Sequence, residues 1–175
     1  MFFNIDESLE ILERTPRVLT TLLQDLDEKW ISNNEGADTW SPYDVIGHLI
    51  YGEKTDWMTR TDIILSTGPH KEFKPFDRFA QLEESKGKSL EQLLNEFKSA
   101  RELNLKKLKG FNLTEADYKK TGIHPKFGAV TLSQLISAWT VHDLDHLSQI
   151  SRVMAKQYKE QSGPWVEYMK ILRQS

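Results

Sequence analysis

Apolar positions recur at helical spacing along nearly the whole chain. Leu9, Leu12, Pro16, Leu19, Leu23 and Leu26 mark one stripe, which predicts a first helix with Asp6 as its N-cap. Pro16 within that stripe predicts a kink, or a late start in which residues 6–14 form a separate turn. Ser41-Pro42-Tyr43-Asp44 reads as a second start, with serine at the cap, proline at the first helical position and an acid at the third. That helix is expected to run to about residue 65, before Gly68-Pro69. Residues 66–87 are poorly periodic and rich in Pro, Lys and Phe, so they read as a long loop between helices 2 and 3, of a kind that is often functional. Ser89-Leu-Glu-Gln92 resembles a capping box and opens a third helix that ends near Gly110. Thr114 to Asp117 predicts a single helical turn, and Gly122 to Val130 a short hairpin-like loop. Thr131-Leu-Ser-Gln134 opens a fourth long helix reaching about Tyr158, and Ser162-Gly-Pro-Trp165 precedes a short C-terminal helix. Four long amphipathic helices point to an all-α four-helix bundle, a single domain over residues 1–175.

Composition narrows the function. Charged residues are 28% of the chain, and 23 basic against 26 acidic side chains leave a net charge of -3. A nucleic-acid partner would call for a basic excess or stripe, which is missing. No apolar run approaches membrane-spanning length, and the N-terminus lacks the basic and apolar regions of a signal peptide. With no cysteine, disulfides and thiolate ligands are excluded, and any thiol chemistry would use a thiol brought in from outside. A cytoplasmic location is the expectation.

Candidate chemistry lies with the histidines. His142 and His146 are four residues apart in Trp139-Thr-Val-His142-Asp-Leu-Asp-His146-Leu-Ser-Gln149, so on a helix their imidazoles share a face. The stripe Leu135, Trp139, His142, His146, Ile150 and Val153 places both among residues expected to be buried. On the second helix the equivalent stripe is Val45, His48, Gly52, Thr55 and Thr59. Three neutral imidazoles in a core need a shared partner, and a metal ion supplies one. Three protein ligands also leave an open coordination position, as in catalytic metal centres. Gly52, one turn after His48, could leave room for a ligand. Trp139 is the best candidate to line the pocket, with Trp40, Tyr51 and Trp57 read as core. Asp143 and Asp145 cannot both point inward, and Asp145 and Gln149 are candidates to hydrogen-bond a ligand histidine. Glu53 and Asp56 point away from the His48 stripe and are assigned to salt bridges, while His70 and His124 are assigned to surface loops.

Three segments together carry a family resemblance. They are Trp40-Ser-Pro-Tyr-Asp-Val-Ile-Gly-His48-Leu-Ile-Tyr-Gly-Glu53, His124-Pro-Lys-Phe-Gly128-Ala-Val-Thr-Leu132 and His142-Asp-Leu-Asp-His146-Leu-Ser-Gln149-Ile. In this order they resemble the DinB-like superfamily, with its YfiT-type metal-dependent hydrolases and its bacillithiol- and mycothiol-dependent transferases. The resemblance implies a four-helix bundle, a homodimer and a divalent metal held by His48, His142 and His146. The ion would be zinc, nickel or manganese, with zinc preferred. It also implies a small-molecule substrate, and as the first expectation a metal-dependent transfer of a low-molecular-weight thiol to an electrophile. Hydrolysis ranks second, because a metal-activated water needs a base and neither histidine stripe carries an obvious acid; Asp44 and Asp145 are borderline by angle. A non-enzymatic metal- or ligand-binding stress protein is the third expectation.

Overall fold

The computed structural model describes residues 3–173. Helix α1 (Ile5–Leu23) is capped by Asn4, whose side chain accepts a hydrogen bond from the Asp6 amide. Asp6 is therefore in the first turn, where its charge meets the positive end of the helix dipole. Pro16 lies inside this helix without ending it. Its missing N–H frees the Leu12 carbonyl, and Arg101 Nη1 donates to that oxygen at 2.8 Å.

A five-residue helix α2 (Glu28–Ser32) follows, too short to show any period in the sequence. The expected second helix is two, α3 (Pro42–Thr55) and α4 (Trp57–Leu65), joined at Asp56. The backbone bends there (φ -113, ψ -73), yet the Asp56 amide still reaches the Gly52 carbonyl at 3.0 Å and the Arg60 amide reaches Asp56 at 2.9 Å. The bend overturns the expected stripe beyond Gly52. Thr55 and Thr59 are exposed, and Glu53, Asp56, Trp57 and Arg60 are buried in their place.

The chain continues through α5 (Ala80–Ser85), α6 (Leu90–Gly110) and the single turn α7 (Glu115–Tyr118). Strands β1 (Thr121–His124) and β2 (Gly128–Thr131) pair antiparallel as the hairpin. Helix α8 (Leu132–Lys156) then runs the length of the bundle. Capping boxes close the starts of α3, α6 and α8 at Ser41, Ser89 and Thr131, as their sequences predict. The C-terminal helix is instead two 3-10 turns, Gly163–Tyr168 and Lys170–Leu172.

Helices α1, α3 with α4, α6 and α8 form the bundle. One apolar cluster gathers Leu19, Leu23, Val45, Ile46, Leu93, Phe97 and Ile150. The other gathers Leu12, Trp57, Ile64, Phe73, Leu105, Leu132 and Trp139. Among the described residues no helix is long and apolar enough to cross a membrane.

Candidate metal centre

His48 reaches the centre from α3, and His142 and His146 from α8. His142 Nε2 lies 3.1 Å from His48 Nε2 and 3.0 Å from His146 Nε2. One nitrogen from each of the three lies within 4.8 Å of the others. Nitrogens held about 2.0–2.1 Å from a tetrahedral ion are about 3.3 Å apart, so the spacing suits a divalent metal. Ordinary N–H···N bonding fits it poorly. His146 Nδ1 lies 2.8 Å from Gln149 Oε1, an acceptor, which puts the proton on Nδ1 and a lone pair on Nε2. The single hydrogen that His142 Nε2 can carry then serves only one of its two close neighbours.

Burial also keeps these rings neutral. It lowers the His48 pKa to about 3, helped by the neighbouring His146 and Arg78. It lowers that of His142 to about 2, helped by His146, His48 and Arg101. His146 is pushed down by burial and partly restored by its bond to Gln149. Neutral imidazoles are the form that binds metal. Among the described residues His48 Nδ1 and His142 Nδ1 are buried without a hydrogen-bond partner, and Gln149 is the one residue outside the trio that hydrogen-bonds to a ring of it.

The three histidines open onto a cavity of about 570 Å³, within the range of small-molecule sites. Gly52 lines it, as expected, and so does Asp145, although among the described residues Asp145 makes no hydrogen bond to a histidine and only Gln149 takes that expected role. Gly52 also makes room for an aromatic ring, since a Cβ there would lie 3.2 Å from Trp57 Nε1. Trp139 does not line the cavity. It is buried behind, stacked on Trp57 at 5.7 Å, with Nε1 donating to Glu53 Oε1 at 3.0 Å. Trp57 and Trp40 take the lining positions, Trp57 edge-on to His142 at 5.1 Å and Trp40 at 4.7 Å from the His48 ring. His124 is a wall residue rather than a surface one, whereas His70 is exposed.

Two further polar groups escaped the sequence reading. Asp56, assigned to a salt bridge, does pair with Arg60 Nε at 2.6 Å, and both also line the cavity. Burial raises its carboxyl to about 6 against the opposing pull of Arg60. Glu53 does not point outward. Together with Asp143 it clasps Arg101, which is 1% exposed, in the bundle centre. A charge inside an apolar period is the signal that could have found this group, because a buried charge needs a partner on another helix.

The family profile of the DinB superfamily matches residues 11–150. The chain belongs to the DinB superfamily. A protein of Bacillus mycoides (strain KBAB4) named "putative metal-dependent hydrolase" is 24% identical over 152 residues, covering 84% of this chain and 83% of its own. One of the same name from Bacillus cereus (strain 03BB102) is 25% identical over 150 residues, with the same coverage. Among solved structures, YfiT from Bacillus subtilis, described as "a probable metal-dependent hydrolase with an unusual four-helix bundle topology", superposes with a TM-score of 0.73 at 17% identity. It covers 87% of this chain and 86% of its own. The four-helix bundle protein TT2238 superposes with a TM-score of 0.57 at 23% identity, covering 85% of this chain and 98% of its own. At these identities the two structures establish the fold.

Proposed function

We propose that this DinB superfamily protein is a metal-dependent hydrolase, with His48, His142 and His146 as ligands of one divalent ion, zinc preferred, and Asp56 as general base. The observation that carries the reading is Asp56. It lies on the same cavity as the three histidines and its carboxyl is raised to about 6, near the value at which a base works best at neutral pH. A divalent ion held by His48, His142 and His146 would supply Lewis-acid chemistry and would lower the pKa of water bound to it.

The chain's own residues do the rest. Gln149 holds His146 in the tautomer that presents Nε2. Arg60 fixes the Asp56 carboxylate through Nε, and that carboxylate accepts the proton of the attacking water. Trp57 and Phe76, each edge-on to a histidine ring, restrict water around the centre. The test is turnover of p-nitrophenyl acetate and related esters by zinc-loaded protein. Because a bound cation lowers the Asp56 carboxyl from its metal-free value of about 6, the rate is expected to rise with pH at or below about 6. Asp56→Asn is expected to lower kcat by about 10²- to 10⁴-fold with bound zinc unchanged. Equal turnover by Asp56→Asn would sink the assignment.

Transfer of a small thiol to an electrophile, the first expectation from sequence, becomes the second reading once Asp56 is available as a base. It is favoured by apolar walls at Trp40, Pro75, Phe76 and Pro125, which leave room for a cosubstrate, and by a chain without cysteine of its own. Metal-dependent consumption of bacillithiol, mycothiol, glutathione or coenzyme A with a model electrophile, without ester hydrolysis, would reverse the order again.

A further inference from the structure

The cavity wall that faces away from the bundle comes from two segments distant in sequence, the stretch after α4 and the β1–β2 hairpin. They are tied together. The Ile123 amide donates to the Lys71 carbonyl at 2.7 Å, and the Phe73 amide donates to the Ile123 carbonyl at 2.8 Å. Phe73 is buried against Gly122, where any Cβ would collide with its ring. Lys71 Nζ donates to the Ile63 and Ile64 carbonyls, each at 3.0 Å, which pins the stretch to the end of α4. At its far end Ser85 packs so closely on Gly47 that a side chain there would clash, and Tyr43 Oη donates to the Ser85 carbonyl at 2.6 Å. The stretch expected as a loop contains α5 and is thus a fixed wall carrying Arg78, joined to a hairpin that carries His124 and Lys126.

The charges on this wall are unbalanced. Asp56 and Arg60 neutralise each other. Among the described residues Arg78 and Lys126 make no ion pair. Arg78 lies over the Trp40 ring at 5.9 Å and Lys126 over Phe127 at 5.8 Å. One exposed carboxylate, Asp145, opposes these two cations. The histidines add no negative charge, and the nearby carboxylates Glu53 and Asp143 are committed to Arg101. A chain of net charge -3 has therefore built a cavity of the opposite sign.

His124 adds a neutral donor. Its Nδ1 accepts the Lys126 amide at 3.1 Å and the Phe127 amide at 3.2 Å, which places the ring hydrogen on Nε2. Stacking on Phe127 at 4.4 Å and 15° holds the ring in that orientation on the cavity wall.

We propose that the substrate is a small organic anion, its carboxylate or phosphate group received by Arg78, Lys126 and the His124 Nε2–H, and its apolar body lying against Trp40, Trp57 and Phe76. The proposal names the substrate class of the hydrolase reading and rests on it for the reaction, though not for binding.

Calorimetric titration of metal-free and zinc-loaded protein with phenylacetate, phenylphosphonate and the neutral phenylacetamide tests it. At least one anion is expected to bind metal-free protein about tenfold or more tightly than the amide. The stronger of the two identifies the acid group. Arg78→Gln and Lys126→Gln are each expected to weaken the anion severalfold and leave the amide unchanged. Because both side chains are exposed, neither change threatens the fold. Equal binding of amide and anions would overturn the proposal. So would anion binding that appears only with zinc and is indifferent to both substitutions, which would assign the anion to the metal alone. Anion preference without ester hydrolysis would sink the hydrolase reading and leave this one standing, and hydrolysis without anion preference would do the reverse.

Discussion

Of the polar clusters buried in this bundle, two are sequence neighbours on α8: Asp143 belongs to one, His142 and His146 to the other. In the first, Arg101 uses every N–H it has. Nε and Nη2 donate to Glu53 Oε1, Nη2 and Nη1 to the two Asp143 oxygens, and Nη1 to the Leu12 carbonyl. Trp139 Nε1 donates to Glu53 Oε1 as well, and Asn104 Nδ2 donates to Glu53 Oε2. In the second cluster, three imidazoles crowd their Nε2 atoms together and leave two Nδ1 atoms without partners. In the closed cluster every polar side-chain atom of Arg101, Glu53 and Asp143 has a partner. The open one is incomplete as protein alone, and that incompleteness points to a ligand.

The largest expected effect lies in the closed cluster. Arg101→Met should cost about 3–5 kcal/mol in urea unfolding, because it strands two buried carboxylates at once. A loss below about 1 kcal/mol would show the cluster to be far less committed than its geometry. His142→Ala should do the opposite, keeping the circular dichroism of the fold while elemental analysis shows stoichiometric metal gone. Loss of fold together with metal would make both clusters structural and erase the contrast.

The clusters should also part with pH. His48 and His142 have folded pKa values depressed to about 3 and about 2, so the unfolded chain takes up protons first. Their contribution is complete above the unfolded value of about 6.5 and is lost as pH falls below it, by about 1.4 kcal/mol per unit for each ring. The slope reaches that limit only well below pH 6.5, so metal-stripped protein should lose about 2 kcal/mol between pH 6.5 and 5.5, read by urea unfolding in parallel buffers. A flat profile would mean that the rings titrate as exposed ones do. A smaller effect is expected at Gln149→Leu, which should weaken metal binding by about 10- to 100-fold while kcat at saturating metal changes less. The smallest is Pro16→Ala, which gives α1 an amide that competes with Arg101 for the Leu12 carbonyl. Stability should shift by no more than about 1 kcal/mol.

How much of this was legible follows the same division. The bundle was, because Ser41, Ser89 and Thr131 announce their helices by local capping chemistry and the apolar stripes keep their period. The histidine face was, because His142 and His146 sit within such a stripe. The Arg101 cluster was not. Periodicity sends Glu53 outward, and only the bend at Asp56 and a partner 48 residues away turn it in. The role of Trp139 went wrong for the same reason, since its indole N–H serves Glu53 and not the cavity. His124 and Arg78 looked like loop residues because the hydrogen bonds joining their segments, Ile123 to Lys71 and Phe73, leave no pattern in either.

Pro16 has a further consequence for how the helices find their alignment. An amphipathic helix can slide by a turn along its neighbour and still bury much of its apolar face. Along α1 the missing proline amide leaves one spare carbonyl, at Leu12, and along α6 one buried guanidinium seeks it. The two meet in a single register, so a bond that α1 cannot make serves as the notch that sets its position in the bundle.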